Sequence, residues 1–173
     1  MEKYTYKYSD LYGYPIHPKA IEFVTFEFFW DVLDENAPFG SDEGYEGFVY
    51  YWEWEDKNRE TPLEICLFEF LSEYFSKENA KRMIELSFVP YESFLLEADN
   101  YMESKLYDHF LYLDQFTIAI GFGSFVKYGK VHPSFKEHMI YSLERAYKPK
   151  DIKWEKYNEA ELLFERLRAI VEV

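Results

Sequence analysis

Residues 61–74 read TPLEICLFEFLSEY and contain the clearest helix start in the chain. Thr61 offers a capping hydroxyl, Pro62 suits the first helical turn because its missing N–H needs no partner there, and Glu64 follows the cap by three residues. Behind this start, apolar residues recur at the spacing of one helix face. They are Leu63, Leu67, Phe70, Leu71 and Tyr74. The stretch therefore predicts an amphipathic helix, and the same period organises the rest of the chain.

Two helices are predicted before residue 61. The first runs from Pro18 to about Leu33, because apolar residues recur there every three or four positions. The second begins at Ser41, a natural N-cap, and places Asp42 and Glu43 in a first turn where the helix dipole favours carboxylates. Its expected buried face consists of Tyr45, Phe48, Val49 and Trp52.

Helical stripes also follow residue 74. A run through 106–120 has the length of a helix rather than of a strand, and the sequence Gly121-Phe122-Gly123-Ser124 predicts its end. The other predicted starts after residue 74 are Ser76, Pro90, Pro133 and Asn158. Lys148-Pro149-Lys150 is expected to end the helix that Pro133 opens.

These stripes predict an all-α fold, a single compact domain over residues 1–173 with about seven helices. The chain has no internal repeat and no linker rich in glycine or serine that would divide it. Residues 1–16 are expected to be extended or poorly ordered, and the alternation of Tyr4, Tyr6 and Tyr8 allows one short strand there. The 17 Tyr, 17 Phe and 4 Trp supply ample material for a core.

Charge and composition exclude several classes of function. The net charge is −14, and residues 27–60 hold 11 acidic and 2 basic side chains, so a phosphate backbone is repelled and nucleic acid is not expected as a ligand. No run reaches the roughly 18 apolar residues of a membrane helix. The single Cys66 and the lack of an apolar leader near the first residue predict a cytoplasmic protein.

Motifs for catalysis, metals and cofactors are weak, so we expect no cofactor and favour a non-enzyme over an enzyme. The glycine pair at 121–123 lacks the third glycine of a dinucleotide site, and the acidic run from Asp34 fails the EF-hand register. Neither HExxH nor GxSxG occurs, and Cys66 lies on the apolar side of its helix. One alternative stays open: a small-molecule or metal-binding protein, or an enzyme, with a pocket that contains His109, His132 or His138.

The segment 34–56 is the candidate site, because it mixes carboxylates with aromatic rings. On the second helix, Glu46, Tyr50, Glu53, Trp54 and Asp56 are expected on the side opposite the apolar face. Carboxylates there would steer a basic partner, and the rings would anchor it. The predicted partner-binding residues are Asp34, Glu35, Asp42, Glu43, Glu46, Tyr50, Glu53, Trp54, Glu55 and Asp56.

The leading functional hypothesis is an inhibitory protein that binds a basic protein. In size, acidity and aromatic content the chain is similar to bacterial immunity proteins that neutralise basic toxin domains; the likeness is one of composition. A structural scaffold or homo-oligomer that packs through the second helix is a further alternative.

Overall fold

The computed structural model describes residues 10–90, 93, 107–147 and 154–173. Its described part is helical apart from one short strand pair, which confirms the predicted fold class. The helices are α1 (Pro18–Phe23), α2 (Asp42–Glu55), α3 (Leu63–Tyr74), α4 (Lys77–Ser87), α5 (Tyr107–Tyr128), α6 (Lys136–Tyr147) and α7 (Trp154–Val171). Short 3-10 helices span Glu27–Trp30 and Pro133–Phe135, and the antiparallel strands are β1 (Asp10–Leu11) and β2 (Tyr14–Pro15).

Helix α5 is the centre of the fold, and it does not end at its glycines. The predicted break at 121–124 is wrong, because the helix continues to Tyr128 and residues 116–126 are all buried. A Cβ added at Gly123 would lie 2.7 Å from Cδ1 of Tyr51 on α2. A Cβ added at Gly121 would lie 2.0 Å from Sδ of Met139 on α6. The glycines therefore let neighbouring side chains touch the α5 backbone.

Helix α2 contributes a matching glycine. A Cβ at Gly47 would approach the Cβ of Ala119 on α5 to 3.2 Å, so the two helices are packed tightly where they meet. The buried face of α2 differs from the expected one at Tyr45, whose ring is exposed, and at Val49, which is half-buried. The buried residues of α2 are Gly44, Gly47, Phe48, Tyr51, Trp52, Trp54 and Glu55.

Helix α1 is shorter than the predicted span to Leu33. Val24 leaves the helix in an extended conformation, and its carbonyl accepts a hydrogen bond from Nε1 of Trp30 at 3.1 Å. The chain then turns through the 3-10 helix, which carries Phe29 into edge contacts with Phe39 at 5.5 Å and Phe122 at 5.1 Å between ring centroids. A continuous helix would not bring these rings together in the core.

Several helix starts agree with the sequence. Ser41 accepts a hydrogen bond from the Gly44 amide at 2.9 Å, and Ser76 accepts one from the Asn79 amide at 3.2 Å, so both predicted N-caps are confirmed. Pro133 opens the 3-10 turn that leads into α6. Within the described residues α6 extends to Tyr147.

Two predicted helix starts are wrong, and some predicted features lie outside the described residues. Helix α3 begins at Leu63 behind Pro62 and has no side-chain cap bond, so Thr61 is not its cap. Helix α7 begins at Trp154, which places Asn158 inside the helix. Outside the described residues lie the stripe after Pro90 (Tyr91, Phe94, Leu95 and Ala98), the alternation of Tyr4, Tyr6 and Tyr8, and the stretch Lys148-Pro149-Lys150.

A tight hairpin precedes α1. Tyr12 and Gly13 have φ angles of 52° and 86°, the left-handed pair that joins β1 to β2 in a two-residue turn. The Tyr12 hydroxyl donates to the Phe39 carbonyl, and its ring lies 4.8 Å from that of Tyr45. Part of the predicted extended segment 1–16 is therefore a hairpin packed on α2.

None of the helices in the described ranges is both long enough and apolar enough to cross a bilayer.

We expect Gly123→Ala to lower the free energy of unfolding by about 1–3 kcal/mol, because overpacking against the buried Tyr51 ring outweighs the gain in helix propensity. Urea denaturation measures the change. The same substitution in a Tyr51→Leu background should cost less, since the ring that it meets is gone. An equal cost in both backgrounds would contradict the packing explanation.

Candidate functional site

An acidic groove of about 540 Å³ lies between the segment 32–43 and α5. Glu35, Asp42 and Glu43 line it, and none of its described lining residues is Lys or Arg. Leu33 also lines the groove although 88% of the residue is exposed, so an apolar side chain stands in water beside the carboxylates. The other lining residues are Val32, Asn36, Gly40, Ser41 and Gln115.

The loop that forms this groove is held by its own polar groups. Oδ1 of Asp34 accepts hydrogen bonds from the amide of Asn36 at 2.9 Å and from its side-chain nitrogen at 3.0 Å. A Cβ at Gly40 would lie 1.9 Å from the Asp34 carbonyl oxygen, so the return of the loop requires glycine there. The predicted site residue Asp34 thus fixes the shape of the loop, but it is not among the residues that line the groove.

Exposed aromatic rings of α3 and α5 lie next to Glu46 of α2. The Tyr74 hydroxyl donates to Oε2 of Glu46 at 2.7 Å, and the rings of Tyr74 and Tyr112 both pack on Phe116. Burial and the Glu46 carboxylate raise the pKa of Tyr74 to about 12, so its hydroxyl stays a donor at neutral pH. We define the acidic surface as Leu33, Glu35, Asp42, Glu43, Glu46, Tyr74 and Tyr112.

The second half of the predicted site is largely internal. Trp54 is buried rather than outward-facing, because its Nε1 donates to Oε2 of Glu69 on α3 at 2.6 Å. Tyr50 is half-buried and stacks on Phe70 at 4.5 Å, whereas Glu53 is exposed. Helical spacing alone could not predict that α3 covers this flank of α2.

Glu55 is the one charged side chain of the predicted site that lies in the core of the described structure. Its Oε2 is 2.7 Å from Nζ of Lys127, and it accepts a hydrogen bond from the Tyr128 hydroxyl. Lys127 also contacts Asp56 at 2.7 Å and lies 4.7 Å from the centroid of the Trp52 ring. An open groove of about 610 Å³ passes over this cluster, yet the lysine charge is already neutralised by two carboxylates of α2 and its C-cap.

His138 lies near the Glu64 carboxylate, and His132 is linked to the same carboxylate through Ser134. Ser134 donates to Oε2 of Glu64 at 3.0 Å and lies 3.0 Å from Nδ1 of His132. Nε2 of His138 lies 4.0 Å from Oε1 of the same carboxylate. Within the described part of the chain, no three His, Cys, Asp or Glu side chains are arranged to hold a metal ion. The side chain of His109 lies outside the described residues.

His138 is fully buried and neutral. Nδ1 lies 2.6 Å from the Ser87 hydroxyl, which itself donates to the Ile84 carbonyl at 2.7 Å, so the bonding pattern assigns the imidazole proton to Nδ1. Nε2 has no hydrogen-bond partner, and burial lowers the pKa of His138 to about 4. Burial likewise raises the pKa of the Cys66 thiol, which leaves it unreactive.

Comparison with known proteins identifies no relative of this chain. No protein-family model matches the chain, and neither the curated proteins nor the solved structures contain a match.

Replacement of Glu55 by Gln should lower the free energy of unfolding by about 2–3 kcal/mol, because a buried charged hydrogen-bond acceptor is lost. The matched change Asp56→Asn should cost clearly less than Glu55→Gln, since that side chain is 58% exposed and its pair with Lys127 is screened by water. Urea denaturation at neutral pH compares the two. Equal costs would contradict the assignment of Glu55 to the core.

The buried His138 should make the protein acid-sensitive. Its pKa is about 4 when folded and near 6.5 when unfolded, so the unfolded state binds a proton first and stability falls as the pH drops from about 6.5 to 4. The loss should be on the order of 2–3 kcal/mol. His138→Gln should flatten this part of the profile relative to the parent, whereas His132→Gln should not. The profile is measured by urea denaturation at a series of pH values.

Proposed function

We propose that this chain is an inhibitory binding protein whose acidic surface binds a basic protein. The observation that carries the proposal is the groove lined by Glu35, Asp42 and Glu43, whose described lining residues include no Lys or Arg and whose side carries the exposed Leu33. Carboxylates in a concave site concentrate the negative field and attract basic groups. The exposed leucine offers apolar area that a bound partner would remove from water.

The charge distribution supports a basic partner. No lysine or arginine occurs between residues 20 and 56, although this stretch forms most of the acidic surface. Opposite charges across an interface accelerate association and select partners, while aromatic rings supply binding energy. Tyr74 and Tyr112 are exposed, share the Phe116 ring and lie beside Glu46, so they can serve as those anchors.

An immunity role is the form of this function that we propose. A toxin domain such as a nuclease holds its phosphate substrate with Arg and Lys side chains. Carboxylates that form ion pairs with these Arg and Lys side chains would block substrate binding, and the inhibitor would need no catalytic activity. The small size and net charge of −14 are consistent with such an inhibitor.

Capture from lysate of the source cells tests the proposal with three baits: the parent, the groove variant Glu35→Gln/Asp42→Asn/Glu43→Gln, and the control Glu85→Gln/Glu161→Gln/Glu172→Gln. Both triple variants lose three negative charges at exposed or half-buried positions. We expect the parent and the control to retain one basic protein that raised salt releases. The groove variant should bind it at least about 10-fold more weakly.

Inhibition is then tested with the captured protein itself. Its expression alone should arrest growth, and co-expression of the parent or control should restore it while the groove variant should not. Equal capture by all three baits would contradict the proposed surface. A captured protein that is harmless when expressed alone would contradict the immunity role but not the binding.

A further inference from the structure

Two exposed tyrosines share one buried ring at the junction of α3 and α5. Tyr74 is 52% exposed and Tyr112 is 39% exposed. The Phe116 ring is buried beneath them, and its centroid lies 5.8 Å from that of Tyr74 and 6.2 Å from that of Tyr112. The tyrosine planes are inclined to the Phe116 plane by 33° and 27°. Both tyrosines are therefore supported by the core and still present part of their side chains to solvent.

The Tyr74 side chain is also fixed from two further directions. Its ring meets the buried Phe70 ring edge to face, with 5.3 Å between the centroids. Its hydroxyl donates to Oε2 of Glu46 on α2 at 2.7 Å. A side chain that is already held in place loses little conformational entropy when a partner binds to it. Tyr74 is therefore a preformed aromatic anchor.

The charged groups next to this anchor are acidic. Glu46 and Glu73 are both exposed, and in the described ranges neither forms an ion pair with a Lys or Arg side chain. Burial raises the pKa of Tyr74, and the Glu46 and Glu73 carboxylates raise it further, so both lie close enough to act on its hydroxyl. The group that complements this part of the surface is positively charged.

An arginine side chain satisfies both the rings and the carboxylates. Its planar guanidinium stacks on aromatic faces, and its donors form a fork that fits a carboxylate. Oε1 of Glu46 accepts no hydrogen bond from the described residues, so it is available to such a donor. A lysine ammonium is more strongly hydrated and has no flat face. A second copy of this surface would bring carboxylates against carboxylates, which opposes self-association here.

We propose that Tyr74, Tyr112 and Glu46 form an anchor site for one arginine side chain of the basic partner. The guanidinium packs against the tyrosine rings and donates to Oε1 of Glu46, while Glu73 adds to the negative field. The inference rests on the proposed function for the identity of the partner, although the site can be tested without that partner. The groove acids then attract the partner, and the anchor site holds one of its side chains.

Titration of the full chain with N-acetyl-L-arginine methylamide, followed by NMR of the tyrosine rings, tests the anchor site. The Tyr74 and Tyr112 resonances should shift with a Kd on the order of 10 mM, because a single side chain makes few contacts. The corresponding lysine probe should bind at least about 3-fold more weakly, since it cannot stack. The corresponding citrulline probe has the same shape without the charge and should bind at least about 10-fold more weakly.

Variants separate the two parts of the site. Glu46→Gln and Tyr112→Leu should each weaken binding of the arginine probe at least about 3-fold, because one removes the carboxylate charge and the other removes a ring. Glu85→Gln and Tyr45→Leu are the matched controls, since both replace exposed side chains outside the anchor site, and they should bind like the parent. Circular dichroism checks that every variant is folded.

The anchor site would be overturned if about 100 mM arginine probe left the Tyr74 and Tyr112 resonances unchanged, or if the citrulline probe bound equally well. Equal binding by both anchor variants and the parent would also overturn it, and equal binding of the lysine probe would overturn the choice of arginine. Capture of a basic protein from lysate by a chain that does not bind the probe would overturn the anchor but not the proposed function. Probe binding without any captured protein would support the anchor and contradict the function.

Discussion

The close packing of α2 and α6 against α5 is the constraint on which the rest of this structure depends. Gly47, Gly121 and Gly123 bring side chains of one helix against the backbone of another. Because α5 is thereby held at the centre, its side chains reach both sites described above. Gln115 in its first half lines the acidic groove, and Lys127 at its end pairs with Glu55. The acidic groove and the buried ion pair thus both depend on the position of α5.

Carboxylates of α2 have two different physical roles that depend on their position. Those near its start, Asp42 and Glu43, line an open groove, where water solvates their charges. Glu55 near its end is buried, so its charge is stable only because Lys127 compensates it. The strongly acidic composition therefore does not describe one surface. Some carboxylates are exposed and can attract a basic partner, whereas Glu55 is neutralised inside the fold.

Local signals predicted the elements well, since caps and apolar periods act within one turn. The Ser41 and Ser76 caps and the period of α3 follow from neighbouring residues alone. The same reasoning was wrong for Tyr45 and Trp54, because their burial depends on which helix covers α2. It also misread Gly121 and Gly123, whose packing value outweighs their weak helix propensity. Of the predicted site, the groove acids lie together, whereas Trp54 and Glu55 lie inside.

By itself, the sequence determined the helical class, most helix starts and the excess of negative charge. Each of these follows from residue types and short-range spacing, which do not depend on the rest of the chain. Only the tertiary structure decided that Leu33 is exposed beside three carboxylates, and that His138 and the Ser134 that contacts His132 both lie at Glu64. These arrangements join residues far apart in the chain, so they depend on how the helices pack rather than on local preference.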